Sequence, residues 1–268
     1  MNDNKLISIV TVTYNSVEAL ISTMKSLIGQ NYNNFEYIII DGASSDNTME
    51  IVSIYEREFS TRGIDLISIS EKDDGIYDAM NKGISMAKGK WIYFLNSGDT
   101  LYSTDTLKSV SNYLEKNNAD IMYGGINAIY YNREIISTPR DLSTFDKKMP
   151  FCHQGVFVKT KLAKQCPFET KYKIISDYNM MYKLYLKGYQ FKKMELVIAN
   201  YSLLGKSGNN GLLAYKESIR MKKELKQRCD SNIMYITKCL YHYLLDKSSS
   251  IKTIKEAYIT NSIKRKVL

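Results

Sequence analysis

The chain has 268 residues, 44% of them hydrophobic and 24% charged, with a formal net charge of +9 at pH 7. That composition builds a real core, in one large α/β domain or in a domain with an appendage. It excludes several classes: no run of about 18 apolar residues can span a membrane, the short polar N-terminus fits no signal or transit peptide, and the cysteines (Cys152, Cys166, Cys229, Cys239) contain no C-x-x-C pair for a disulfide framework or structural zinc. They read as reduced, packed residues of a reducing compartment.

In chain order, the β-branched run LISIVTV (6–12) predicts a buried strand. Tyr14-Asn15-Ser16 breaks it, and 17–27 has helical spacing with Ser16 as N-cap. A second strand, 37–40, ends at Asp41-Gly42, and a helix follows over 45–56 with Asp46 as its candidate cap. A strand at 66–70, a helix at 76–87 closed by Gly89, and a strand at 91–95 ended by Asn96-Ser97-Gly98-Asp99 complete the first half. Beyond it, 120–131 reads as strands around Gly124-Gly125, 156–159 as a strand, 177–187 as a helix stopped by Gly188, and 191–201 as a strand pair or one long strand. The Gly/Ser-rich loop 205–211 marks a boundary, so the expected domains are 1–205 and a helical extension, 206–268. Helical patterns cover 212–228, 233–245 and 251–263.

Strand–helix alternation predicts an open, mostly parallel sheet with helices on both faces, a Rossmann-like α/β fold. Ligands of such sheets bind beyond the carboxyl ends of the strands, which brings Tyr14, Asp41, Asp73 and Asp99 toward one crevice. Like charges gather there only where a cation or donor groups satisfy them. No G-x-G-x-x-G and no G-x-x-x-x-G-K-[ST] follows the first strand, so neither a dinucleotide nor a P-loop triphosphate is the expected ligand.

The run SIVTVTYNS, then YIIIDGASSDNT, then EKDDGIYDAMNKGISMAKGKWIYFLNSGD, with FCHQGVFVK and SDY further on, resembles the inverting family-2 glycosyltransferases of the GT-A fold. The likeness covers about residues 6–205 and is nearest to the bacterial subgroup of O-antigen, capsule and colanic-acid synthesis. It implies transfer of a hexose or N-acetylhexosamine from a nucleotide sugar, a UDP-sugar foremost, to a saccharide on a polyprenyl diphosphate. An inverting enzyme needs one general base for the acceptor hydroxyl and an electrophile on the departing diphosphate.

Carried over residue by residue, the resemblance puts Asp41 on the pyrimidine ring, with Thr11, Thr13 and Tyr14 as the other wall of the base pocket. Asp73, Gly75, Tyr77 and Asp78 belong to the donor loop, with Asp73 near the uridine and Asp78 or Lys82 near the sugar or diphosphate. Asn96 and Ser97 join the nucleotide-sugar set. Asp99 is the candidate ligand of a divalent cation, Mn2+ or Mg2+, which takes oxygen ligands and bridges phosphates. Relatives often carry a second carboxylate where Gly98 stands, and an arginine where Met80 stands. Asp177 is the candidate base, held ionised at a helix N-terminus. His153 is a catalytic candidate that could contact diphosphate, metal or acceptor, and Lys206 and Ser207 correspond to a segment facing the diphosphate.

Residues 206–268 carry 14 Lys/Arg against 5 Asp/Glu, so the tail holds the whole charge excess and the first 205 residues are neutral. Lys222, Lys223, Lys226 and Arg228 lie near Ile219, Met221 and Leu225, and Ile233, Ile236, Leu240 and Leu244 form an apolar stripe flanked by Tyr235, Tyr241 and Tyr243. Such helices could lie on an anionic bilayer at the cytoplasmic face, pack on the catalytic domain, or meet a second copy in a homodimer. Two other classes compete: a sugar nucleotidyltransferase, which wants a Gly-rich loop with Arg and Lys after the first strand, and a non-catalytic binder of nucleic acid or membrane led by the basic tail. Thr13-Tyr14-Asn15-Ser16 stands against the first, and the carboxylates Asp41, Asp73, Asp99 and Asp177 against the second, so no nucleic-acid partner is expected.

Overall fold

The computed structural model describes residues 5–130, 133–202, 210–229, 234 and 236–240. The chain divides into two compact units, Met1–Leu203 and Leu204–Leu268.

The first unit opens with β1 (Ile7–Thr13), α1 (Val17–Ile28), β2 (Phe35–Asp41), α2 (Thr48–Thr61), β3 (Asp65–Ser70), α3 (Ile76–Met86) and β4 (Trp91–Phe94). It continues with β5 (Thr100–Leu101), α4 (Thr106–Lys116), β6 (Ile121–Tyr130), β7 (Arg133–Ser137), β8 (Val156–Lys159), α5 (Thr160–Gln165), α6 (Ser176–Leu186) and β9 (Phe191–Ser202). Among the described residues the strands form one sheet in the order β3-β2-β1-β4-β8-β6-β9-β5, with β7 on β6. The β3-β2-β1-β4 half is parallel throughout. β8 then runs antiparallel to β4 and β6, while β6 and β9 are parallel.

Alternation along the strands decides which helix covers which face. Ile7 and Ile9 of β1 and Phe35, Tyr37 and Ile39 of β2 share one core with Leu20, Met24 and Leu27 of α1, Phe59 of α2 and Leu107, Val110 and Leu114 of α4. Burying each of these large side chains contributes about 2 kcal/mol. Val10 faces the other way and meets α3, where a Cβ on Gly83 would lie 2.4 Å from Val10 Cγ1. Helices therefore cover both faces, as the alternation predicts.

Several local expectations change. α2 starts at Thr48 rather than 45, because Asp46 Oδ1 accepts the Thr48 amide at 3.1 Å and its hydroxyl at 2.5 Å, so Asp46 closes the preceding loop. Ser16 precedes α1, but its hydroxyl meets Ser97 Oγ at 3.0 Å instead of capping the helix. In place of strands around Gly124-Gly125 there is one strand, Ile121–Tyr130, its register with β9 broken on either side of Gly125, and 191–201 is likewise a single strand. β5, α4, β7 and α5 were not anticipated.

In the second unit α7 spans Gly211–Glu224, with Ile219, Met221 and Lys222 buried. Lys222 is thus withdrawn from the basic surface, while Lys223, Lys226 and Arg228 are exposed. The boundary loop at 203–209, the residues Ile233, Tyr235, Tyr241, Tyr243 and Leu244, and the 251–263 pattern lie outside the described residues. Among the described residues no helix is long and apolar enough to cross a membrane.

Candidate active site

Because β1, β2 and β4 run parallel, their C-terminal loops emerge along one edge of the sheet. Thr13 stands opposite Asp41 in register, and the Gly42 amide donates to the Thr13 carbonyl at 3.0 Å. Asp41 is fully buried: its Oδ2 accepts the Ser44 amide at 2.8 Å and the Ser70 hydroxyl at 2.6 Å, and its Oδ1 accepts the Ser44 hydroxyl. Three of its four lone-pair positions are spent shaping the loop, and one on Oδ1 remains for a ligand. Thr11 is also fully buried, donating to the Leu95 carbonyl at 2.6 Å and accepting from Tyr37 at 3.0 Å, so its hydroxyl is committed to the core. The Thr13 hydroxyl is buried with no partner among the described residues, an unused polar group at the strand end. Tyr14 is 55% exposed, its ring edge beside Gly42.

The donor loop meets this wall through Asp73, whose Oδ2 lies 2.7 Å from where a Gly42 Cβ would be. Asp73 Oδ1 accepts the Gly75 amide at 2.9 Å, and Gly75 leads into α3 at φ +116°, a conformation that favours glycine. Lys82 is drawn away from any ligand: its Nζ pairs with Glu71 at 2.8 Å and Asp78 at 3.7 Å and donates to the Lys72 carbonyl at 2.9 Å. Lys82 and Asp78 therefore brace the loop. Tyr77 departs furthest from expectation, since its hydroxyl points to Asp177 rather than to the nucleotide side.

The 96–99 loop is anchored on α1. Thr23 Oγ1 accepts the Gly98 amide at 3.0 Å and donates to the Asp99 carbonyl at 2.8 Å, while Ser97 contacts Ser16. Asp99 is buried, and desolvation pushes its carboxyl up to about 6 against the opposing pull of His153 and a Gln154 hydrogen bond. Asn96 Oδ1 is buried without a partner among the described residues, and Asn96 Nδ2 lies 3.4 Å from His153 Nε2.

His153 and Gln154 come from the turn that feeds β8, and Asp177 from the first turn of α6. His153 Nδ1 lies 3.2 Å from Asp177 Oδ2. Asp177 Oδ1 accepts the Tyr178 amide at 2.8 Å and the Tyr77 hydroxyl at 3.1 Å. Burial alone would raise the Asp177 carboxyl, but His153, the Tyr178 amide and Tyr77 together hold it below the usual carboxylate range. Burial would likewise lower His153, yet the Asp177 hydrogen bond and charge, with Asp99 behind them, raise it. Cys152, next to this pair, is pushed up to about 11 by burial and by Asp177, which favours the thiol over the thiolate.

The structure thus brings together Asp99, Asn96, His153 and Asp177 on one side and Asp41, Thr13, Tyr14 and Asp73 on the other. Lys206 and Ser207 lie outside the described residues. Sequence reasoning did not single out Ser44 and Ser70, the donors that fill Asp41. Only the serine three residues after Asp41 carried a local signal, because Ser70 arrives on the neighbouring strand.

A cation fits this donor set in one particular way. Among the described residues no three His, Cys, Asp or Glu side chains converge as a cage. The desolvated Asp99 carboxylate and the orphaned Asn96 oxygen are hard oxygen donors, the kind that hold Mg2+ or Mn2+ when substrate phosphates complete the shell.

The sequence model of the family described as Glycosyl transferase family 2 matches residues 8–184. A PGL/p-HBAD biosynthesis glycosyltransferase of Mycobacterium bovis (strain BCG) is 30% identical over 207 residues, 76% of this chain and 79% of that protein. Among solved structures, S. aureus TarS 1-349 in complex with UDP-GlcNAc superposes with a TM-score of 0.67 at 16% identity, covering 91% of this chain and 74% of that one. The mannosyltransferase PcManGT of Pyrobaculum calidifontis, in complex with GDP-Man and Mn2+, gives 0.64 at 14% identity over 96% of this chain and 74% of its own. Both likenesses speak to the fold, which is GT-A. This chain is a glycosyltransferase and belongs to glycosyl transferase family 2.

Proposed function

We propose that the chain moves a hexose or N-acetylhexosamine from a nucleotide sugar, UDP foremost, to an acceptor hydroxyl with inversion, Asp177 acting as general base. The observation that carries this reading is the Asp177 carboxylate, which accepts from Tyr77 and the Tyr178 amide and faces His153 in the same site as Asp99. The solved GT-A neighbours were obtained with UDP, UDP-GlcNAc and GDP-Man, which supports a nucleotide-sugar donor.

In this mechanism the acceptor oxygen attacks the anomeric carbon from the face opposite the diphosphate. The new carbon–oxygen bond forms as the bond to the diphosphate breaks, and the leaving group departs with the electron pair. The acceptor proton passes to Asp177, which holds it until solvent removes it. His153 maintains the charge of that carboxylate, and Thr13, Tyr14, Asp41 and Asp73 orient the nucleoside. A divalent cation held by Asp99 and the Asn96 oxygen would neutralise the departing diphosphate.

The acceptor we propose is a lipid-linked saccharide, the class implied by the sequence resemblance. The mycobacterial relatives are named for PGL/p-HBAD biosynthesis, so the O-antigen and capsule setting rests on resemblance alone. We assign the tail to an anionic membrane surface, supported by the exposure of Met234, Ile236 and Leu240 beside a basic segment.

A screen of UDP-, GDP- and dTDP-sugars by thermal unfolding tests the donor. A donor at about 100 times its Kd stabilises the native state by about 2.7 kcal/mol. UDP-sugars should raise Tm in the wild type and in Asp177→Asn, while that variant loses transfer. No shift with any donor, or near-normal turnover in Asp177→Asn, overturns the reading.

A further inference from the structure

Tyr77 lies in the first turn of α3, directly after the Asp73–Gly75 donor turn, yet it faces the other partner in the reaction. It is 8% exposed, its ring packs on Phe168 with 5.4 Å between centroids, and its hydroxyl is shared between Asp177 Oδ1 at 3.1 Å and the Ile174 carbonyl at 2.7 Å. One turn along the same helix, Asn81 grips the Phe168 backbone from both sides: its Nδ2 donates to the Phe168 carbonyl and its Oδ1 accepts the Phe168 amide, each at 2.9 Å. Lys173 Nζ reaches the Asp74 carbonyl at 3.3 Å. The helix that begins at the donor loop and the segment that ends at Asp177 are therefore tied at three points.

We infer that Tyr77 is a positioning residue for the base: its hydroxyl sets the rotation of the Asp177 carboxylate, while Asn81 and Lys173 hold the 168–177 segment against α3. This rests on the reading of Asp177 as the base. Carboxylate χ2 is a soft, roughly two-fold torsion, so an Asp needs outside contacts to stand in one orientation. Here Oδ1 faces two donors, the Tyr178 amide and the Tyr77 hydroxyl, whose single proton is shared with the Ile174 carbonyl. Oδ2 receives only His153 Nδ1 and keeps a lone pair, so Oδ2 is the oxygen that takes the acceptor proton. Because Tyr77 belongs to the donor-side helix, the base is aligned to the donor by the same element that carries the donor loop. A misplacement of about 1 Å in such a group costs on the order of a hundredfold in rate.

The test compares Tyr77→Phe with the wild type and with Asp177→Asn, each as the full chain. Tyr77→Phe keeps the ring and its packing on Phe168 and removes only the hydroxyl. The expected result is a fall in kcat of about tenfold, a donor KM within about twofold of wild type, and an acid limb of kcat/KM moved to higher pH. The groups of the site that could shape that limb are Asp99 from the loop after β4, His153 and Cys152 from the turn before β8 and Tyr77 from α3; Asp99 is common to wild type and Tyr77→Phe, so it does not account for a difference between them. Cys152 titrates too high to enter it, and a parallel His153→Gln profile separates the histidine. An unchanged kcat and limb in Tyr77→Phe, with Asp177→Asn inactive, overturns the positioning role alone. A loss of kcat that follows a fall in Tm, with the limb unmoved, overturns it as well. Near-normal turnover in Asp177→Asn overturns the base assignment beneath it, whatever Tyr77→Phe does.

Discussion

His153 Nδ1 stands 3.2 Å from Asp177 Oδ2, and each group shifts the other so that the pair stays charged over a wider pH range. The two sides have opposite pH signatures. The Asp177 contribution to stability is present above its unfolded value of about 3.9 and fades as pH falls through its lowered folded value. The His153 contribution is present below about 6.5 and fades as pH rises through its raised folded value. His153→Gln should therefore lower Tm more at pH 6 than at pH 8.5, and should move the acid limb of kcat/KM upward. Thermal unfolding at the two pH values checks this, and a deficit that grows toward pH 8.5 would contradict it.

Asp99 has the reverse sign. Its folded carboxyl sits at about 6, above the unfolded value, because burial disfavours the anion. The native state thus holds the proton more tightly, and ionisation costs stability: nothing below about 4, the full amount above about 6. With chelator present, Asp99→Asn should be more stable than wild type at pH 8 by on the order of 3 kcal/mol, and equal to it at pH 4. Denaturant titrations at both pH values measure the difference.

The same residue should govern cation dependence. Transfer by the wild type should fall at least about tenfold with chelator and recover with Mn2+ or Mg2+, while Asp99→Asn stays low in both conditions. Turnover in chelator equal to turnover with Mn2+ would remove the cation from the reaction.

Two glycines separate binding from folding. At Gly42 a Cβ would lie 2.7 Å from Asp73 Oδ2 and 3.4 Å from Tyr14 Cδ2, so Gly42→Ala displaces only the end of a movable side chain. Its Tm should stay within about 2 °C of wild type while donor affinity weakens. At Gly83 the Cβ would lie 2.4 Å from Cγ1 of Val10, a stiff β-branched residue in a central strand. Gly83→Ala should lose about 1–3 kcal/mol of stability. Thermal unfolding and donor titration of both variants distinguish the two outcomes.

The tail proposal has a direct measurement. The whole chain should float with vesicles containing anionic lipid, and a 1–205 truncation should not, the difference shrinking as salt rises. Equal recovery of both would assign the tail to packing instead.

Much of this protein was legible in the residues themselves. The buried strands β1, β2 and β4 announce themselves because apolar β-branched and aromatic runs have no other place to go, and the polar breaks after them carry the loops of the site. Asp41, Asp73 and Asp99 stood out as carboxylates beyond strand ends, while His153 and Asp177 were singled out through the family resemblance. α4 was readable but not anticipated: Leu107, Val110 and Leu114 keep helical spacing and are all buried. β5 was not readable, because a two-residue strand exists only through its pairing with β9 nearly a hundred residues later. The same limit applies inside the site. Local sequence set Asp177 at a helix start and Tyr77 behind the donor loop, but not that they meet across 100 positions, nor that Lys82 turns back to Glu71 or that Ser70 fills Asp41. Those contacts depend on where α3 docks and on the clamp of Asn81 to Phe168, and side-chain direction at an element's end is decided by such packing rather than by the residue alone.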